Sequence, residues 1–332
     1  MTQLLDRTEI SRAIEILESG GTVIFPTETV YGLGARIDDP KAIEKIFAAK
    51  GRPQDNPLIV HIGSISQVDD LAFDIPEVAR KLMQAFWPGP LTLGLKKTDF
   101  VSDQVSAGLA TVGIRMPSHP VAREILGSGL FIAAPSANPS GSPSPTREDH
   151  VKEMIGKVDA IVLAGECSVG LESTFLDLTS DPPRILRPGA VSYEDLVPYI
   201  PDVVIYRGTD KSASPGTRYR HYAPNTPVFL IKGRLPLFEV FMQQHPEGIF
   251  FVPDELWQDQ PNQIRFLPEG SLEEASRQLY DDLRRVDGKA DAIYIPVLEE
   301  IGIGRALMDR LIRAAQGNII NLEDEYENLY RK

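Results

Sequence analysis

The sequence predicts an α/β protein in which a large twisted mixed sheet with flanking helices is followed by a smaller, doubly wound α/β domain. Three observations carry that expectation. Segments with helical apolar spacing alternate with short β-branched and aromatic runs along the whole chain. The 27 prolines and 26 glycines gather at the joints between those segments. A length of 332 residues, at ~150 residues per domain, suggests two domains that bury their own cores.

Taken in order, Ile10, Ala13, Ile14 and Leu17 recur at helical spacing and stop at Gly20-Gly21. Residues 22–25 then form a short strand running into Pro26. Ile43, Ile46 and Phe47 mark a helix ending at Lys50, and 58–62, apolar but for His61, reads as a buried strand. A helix over 76–86 is entered by a proline in its first turn. Further strands are expected at 91–95, 111–116, 131–135, 160–163 and 173–178. Residues 135–145 (PSANPSGSPSP) are too rich in Pro, Ser and Gly for a helix or a central strand and form a loop. A second break spans 208–227, carries Arg218, Arg220, His221 and Tyr222, and reads as an interdomain linker suited to covering a site. Beyond it, strands at 228–231, 249–253 and 292–297 alternate with helices at 235–244, 272–286 and 305–315. The expected organisation is therefore 1–207, a linker or lid at 208–227, and 228–332.

Lys and Arg number 34 against 47 Asp and Glu, a net charge of −13 that repels nucleic acid and anionic lipid as a whole. Neither side of residue 200 carries a basic excess, so a basic binding domain is excluded. Cys167 is the one cysteine, which excludes a disulfide framework, a structural zinc cluster and an iron–sulfur centre and points to a reducing compartment. Charges run through the first fifteen residues, and no stretch approaches the ~18–20 apolar residues of a membrane span. A cytoplasmic protein without membrane contact is expected.

The usual nucleotide signatures fail. There is no GxxxxGK[ST] loop, and Gly302-Ile303-Gly304 lacks the third glycine of a dinucleotide fingerprint, so it reads as a tight turn. The five histidines are scattered without metal-ligand spacing, and no GxSxG elbow occurs. What stands out is a set of short polar strings at strand ends. Pro26 to Gly34 (PTETVYGLG) places two hydroxyls, a carboxylate and the Tyr31 phenol in a turn closed by glycines; it is either a pocket rim or a capped turn. Lys50-Gly51-Arg52 can converge on a polyanion, or its cations simply complement a helix C-terminus. Arg115, inside the apolar strand GIRMP, must have a partner, either a ligand carboxylate or an internal Asp or Glu. Ser136 and Asn138 offer neutral hydrogen bonds to phosphate or ribose. Ser173-Thr174 and Arg187-Pro188-Gly189-Ala190 complete the set, each also explicable as strand-end polarity. Together these cations in an acidic chain suggest a pocket for a phosphorylated nucleotide plus a small carboxylate.

The strings PTETVYGLG, KGRP with NPLIVHI, GIRMP, APSANPSG, ESTFLD and RPGA, in that order, resemble the YrdC-like domain of the threonylcarbamoyl-AMP synthase family, and SPGTRYRHYAP followed by a small α/β domain resembles its long two-domain form. The resemblance spans nearly the whole chain. It implies a nucleotidyltransferase that makes L-threonylcarbamoyl-AMP and pyrophosphate from L-threonine, bicarbonate and ATP, with Mg²⁺ carried by the ATP and no protein metal site, for threonylcarbamoyl modification of tRNA adenosine 37. It places Thr29, Tyr31, His61, Arg115 and Ser173 around L-threonine. It places Lys50, Arg52, Asn56, Thr111, Ser136, Asn138, Thr146 and Arg187 around ATP, joined by His221 and Tyr222 from the linker. Lys50 with Arg52 and Ser136 with Asn138 are the pairs expected to carry catalysis. Thr217 stands where the linker motif of the family leads one to expect a Met or similar residue. A downstream tRNA threonylcarbamoyl transferase is the implied partner. Two other readings compete: an RNA-binding module of the same fold, opposed by the net charge, and a hydrolase using Ser136 or Ser173, opposed by the lack of an elbow.

Overall fold

The computed structural model describes residues 1–206 and 222–326. In the first stretch, eleven strands form one sheet: β1 (Gln3–Leu5), β2 (Val23–Pro26), β3 (Tyr31–Arg36), β4 (Ile59–His61), β5 (Leu91–Lys96), β6 (Thr111–Arg115), β7 (Ile132–Ala133), β8 (Ala160–Val162), β9 (Thr174–Asp177), β10 (Arg184–Arg187) and β11 (Val204–Ile205). Their order is β1-β8-β2-β3-β7-β4-β6-β5-β9-β10-β11. Parallel pairs such as β4 with β6 and β5 with β9 sit beside antiparallel ones such as β5 with β6 and β9 with β10, so the sheet is mixed.

The helices follow from their sequence. Ile10, Ala13, Ile16 and Leu17 form the buried stripe of the helix Ile10–Glu18. Asp39 caps the helix Pro40–Lys50 by accepting the backbone N–H groups of Lys41 and Ala42, and Pro40 sits in the first turn. That helix stops at Gly51, whose φ of 60° is left-handed backbone that glycine adopts without strain. Ile24, Leu33, Val60, Leu93, Ile114 and Leu176 join the main core, and the first helix builds a second core with Val23, Phe25 and Ile132. The expected turn over the 26–34 string is shorter than its glycines suggest, since Tyr31–Arg36 is a strand paired antiparallel to Val23–Pro26.

Beyond residue 222 lie β12 (Val228–Lys232), β13 (Ile249–Val252), β14 (Gln263–Arg265), β15 (Ile293–Pro296) and β16 (Ile319–Asn321), all parallel, in the order β14-β13-β15-β12-β16. Leu237, Phe238 and Phe241 from the helix Leu235–Gln244 cluster with Ile231, Phe250 and Tyr294. Leu230, Phe251, Ile293 and Ile295, the alternate residues of the same strands, are buried as well. Burial of both faces is what a doubly wound sheet requires. The described residues form two compact units, 1–140 with 144–206 and 222–326 with Gly141–Pro143.

Candidate active site

Strand register builds a transverse row across five neighbouring strands. His61 on β4 pairs with Arg115 on β6, Arg115 with Thr92 on β5, Thr92 with Phe175 on β9, and Phe175 with Arg187 on β10. Directly paired residues project to the same face of a sheet. The row therefore gathers an imidazole, two guanidinium groups and a hydroxyl, all buried, on one side. Phe175, with Ile59 and Leu186, supplies a small apolar floor beside them.

Arg115 is the hub. Its Nη2 donates to Glu28 Oε1 at 2.6 Å, its Nη1 to Thr29 Oγ1 at 2.8 Å and its Nε to the Gly89 carbonyl at 3.3 Å. The second carboxylate oxygen of Glu28 accepts the Ser118 N–H at 3.0 Å. Of the two partners weighed for this arginine, the internal carboxylate is present. Three of five guanidinium N–H groups are thereby used, and two remain for a ligand.

The neighbouring turn fixes the polarity of Thr29. Thr27 Oγ1 lies 2.7 Å from the Val30 carbonyl, which only accepts, so Thr27 donates there. In the 2.8 Å contact between the Thr27 and Thr29 hydroxyls, Thr29 is then the donor. With its proton committed and Arg115 on one lone pair, Thr29 can meet a ligand only as an acceptor.

Ser173 is held from two sides. Its Oγ is 2.7 Å from Thr92 Oγ1 and accepts Arg187 Nη2 at 3.1 Å, while its carbonyl accepts Arg187 Nε at 3.0 Å. Gly189 explains the RPGA string. A Cβ there would lie 2.2 Å from the Thr174 nitrogen and 2.6 Å from the Ser173 carbonyl carbon, so only glycine lets the chain after Arg187 lie against these residues. His61 is buried, with Nδ1 3.2 Å from the Ile59 carbonyl. Burial, and then the charge of Arg115, lower its pKa to about 3, which keeps the ring neutral.

Lys50 and Arg52 bracket the loop ends. Lys50 Nζ donates to the carbonyls of Ser136 at 2.5 Å and Asn138 at 2.6 Å, and its own carbonyl accepts the Ser140 N–H at 2.8 Å. Burial and the neighbouring charge of Arg52 pull its pKa well below the ordinary lysine value. Arg52 donates to the carbonyls of Asn56 and Pro57 at 3.2 and 2.8 Å. The KxR and SxN strings are thus in direct contact, although Lys50 and Asn138 lie 88 positions apart in the sequence. Thr146 is buried, and its hydroxyl has no hydrogen-bond partner among the described residues.

Three further expected site residues have these local contacts. The Tyr31 phenol donates to the Gly165 carbonyl at 2.7 Å, and burial raises its pKa. Thr111 starts the strand that Arg115 ends. Tyr222 belongs to the smaller unit, where its ring lies 5.6 Å from that of Tyr280 and 5.3 Å from the Arg310 guanidinium. Arg218, Arg220, His221 and most of the expected linker lie outside the described residues. Among the described residues no group of three or more His, Cys, Asp or Glu is placed to hold a metal ion.

The segment from Trp87 to Thr92 is given no site role by the sequence analysis, although a strand is expected at 91–95. It supplies the Gly89 carbonyl to Arg115, the Pro90 carbonyl to the Thr174 N–H at 3.0 Å, and the Thr92 hydroxyl to Ser173. The Pro-Gly-Pro between a helix and a strand was its available signal.

Two family models match successive parts of the chain. A family model described as "Telomere recombination" (Sua5, YciO and YrdC) matches residues 15–189, and one described as "Threonylcarbamoyl-AMP synthase, C-terminal domain" matches 191–316. The threonylcarbamoyl-AMP synthase of Bacillus subtilis is 41% identical over 326 residues, covering 94% of each chain. That of Pyrococcus abyssi is 40% identical over 331 residues, covering 96% of this chain and 97% of the relative. The crystal structure of P. abyssi Sua5 complexed with L-threonine superposes with a TM-score of 0.89 at 38% identity, over 97% of this chain and 99% of that one.

Proposed function

Because the chain belongs to the two-domain threonylcarbamoyl-AMP synthase family, we propose that it forms L-threonylcarbamoyl-AMP and pyrophosphate from L-threonine, bicarbonate and ATP, as a nucleotidyltransferase serving tRNA adenosine 37. The observation that carries the reading is Arg115, held in the row on β4, β6, β5, β9 and β10 with spare donors beside the acceptor hydroxyl of Thr29. An amino acid has that complementarity: its carboxylate takes the guanidinium, and its amine N–H meets Thr29. His61, neutral beside Arg115, and Ser173 complete this subsite, with Tyr31 beside it as supporting structure.

In this reading Lys50, Arg52, Asn56, Thr111, Ser136, Asn138, Thr146 and Arg187 hold ATP, joined by His221 and Tyr222 from a lid over 208–227. Threonine's amine attacks bicarbonate-derived CO₂ to give a carbamate and release a proton. A carbamate oxygen then attacks the α-phosphorus of ATP, and pyrophosphate leaves. No side-chain nucleophile is required, so the protein contributes positioning and charge neutralisation. The Mg²⁺ that ATP carries shares the triphosphate charge. A lysine whose ammonium form is disfavoured in the free protein gains most from an arriving polyanion, which favours Lys50 at the triphosphate. In this reading the protein works in the cytoplasm; no helix among the described residues is long and apolar enough to cross a membrane.

The test is pyrophosphate release from purified protein, expected only when ATP, L-threonine and bicarbonate are all present. Release that continues without threonine would overturn the reading. Arg52→Ala is expected to abolish release while leaving the circular dichroism spectrum unchanged.

A further inference from the structure

Thr92 is fully buried, and among the described residues its hydroxyl has one partner, Ser173 Oγ at 2.7 Å. Ser173 Oγ also receives Arg187 Nη2 at 3.1 Å, and a guanidinium can only donate. The two hydroxyls therefore share one hydrogen bond and hold one further proton between them. If Ser173 donated to Thr92, the spare proton would sit on Thr92, which is fully buried beside Arg115 and Phe175 in register and lies outside the amino-acid subsite proposed above. A buried donor without an acceptor costs about 1–3 kcal/mol. If Thr92 donates to Ser173, both lone pairs of Ser173 are filled, by Thr92 and by Arg187, and the Ser173 proton is the one left for an incoming acceptor.

Resting on the function proposed above, we infer that Thr92 is a positioning residue that makes Ser173 an obligatory hydrogen-bond donor to an oxygen of the amino-acid substrate. Thr92 touches no substrate itself. The site then carries complementary polarity: Thr29 accepts and Ser173 donates. A substrate offering an N–H at one end and an anionic oxygen at the other satisfies both, and an oxygen acceptor lost from that position leaves the Ser173 proton without a partner.

The experiment compares wild type, Thr92→Val, which keeps the shape and removes the hydroxyl, and Thr92→Ser, which restores it. Initial rates of pyrophosphate release are measured against L-threonine and against ATP. Thr92→Val, which leaves Ser173 Oγ held from one side and able to turn its proton away from the substrate, is expected to raise the threonine KM about fivefold to tenfold with the ATP KM unchanged, and Thr92→Ser to return it to within about twofold of wild type. In a Ser173→Ala background, adding Thr92→Val is expected to change the threonine KM no further, because the effect travels through Ser173. A wild-type threonine KM in Thr92→Val, equal rises for both substrates, or full additivity with Ser173→Ala would overturn the inference. If Thr92→Val does not fold, Thr92→Cys, whose thiol is a weak donor, replaces it with the same expected rise. Wild-type protein that releases no pyrophosphate with threonine would instead count against the proposed function, so the two failures are distinct.

Discussion

The side chains with the most at stake are Arg115, Glu28 and His61, because burial leaves none of them free to change partner. Arg115 and Glu28 form an ion pair at 2.6 Å with both side chains nearly excluded from solvent. Removing one member strands the other charge, so Glu28→Ala is expected to lower the unfolding free energy by about 3–5 kcal/mol in urea titration. His61 sets a pH dependence of definite sign. Its pKa is about 3 in the folded protein, against 6.5 for the exposed side chain. Below pH 6.5 the unfolded chain takes up a proton that the folded one refuses, so stability is fully present above 6.5 and falls as the pH drops toward 3. His61→Asn is expected to remove that component, worth on the order of a few kcal/mol, seen as a flatter melting temperature between pH 6.5 and 4.

Strands and turns show why some motifs were legible and others were not. GIRMP and RPGA stood out because a cation in an apolar strand and a Pro-Gly pair after an arginine are each unusual. Gly189 then acquires a tertiary reason, since the Ser173–Thr174 backbone occupies the space of its missing side chain. Gly189→Ala is expected to cost on the order of 1–3 kcal/mol in chemical denaturation and to raise the threonine KM, because Ser173 must move. The 26–34 string predicts a glycine-closed turn where the strand Tyr31–Arg36 begins, for a related reason. A Cβ at Gly34 would lie 2.6 Å from the Phe25 ring, so a glycine that reads locally as a loop residue is there to let a neighbouring strand's aromatic ring pack.

The charge of the entire chain bears on its relation to RNA. A net charge of −13 without a basic half gives no long-range attraction to a polyanion, whatever the cations of the site do locally. Filter binding of tRNA is expected to show no retention at ~1 µM protein and ~150 mM salt. Tight, steeply salt-dependent retention would instead favour the RNA-binding reading. The parallel sheet of the smaller unit, with its alternating strands and helices, follows directly from spacing that recurs at 235–244 and 272–286.

Periodicity and punctuation were enough to place the helices, most strands and the loop after β7, because those features are local and their apolar spacing is written in consecutive residues. The motif strings also singled out the cations of the site. What they could not contain is partnership. That Lys50 grips the carbonyls of Ser136 and Asn138, that Glu28 rather than solvent meets Arg115, and that Thr92 reaches Ser173 are consequences of strand order and register. A sheet brings residues distant in sequence into one row, and each hydroxyl or charge then takes its role from a neighbour that local spacing does not reveal.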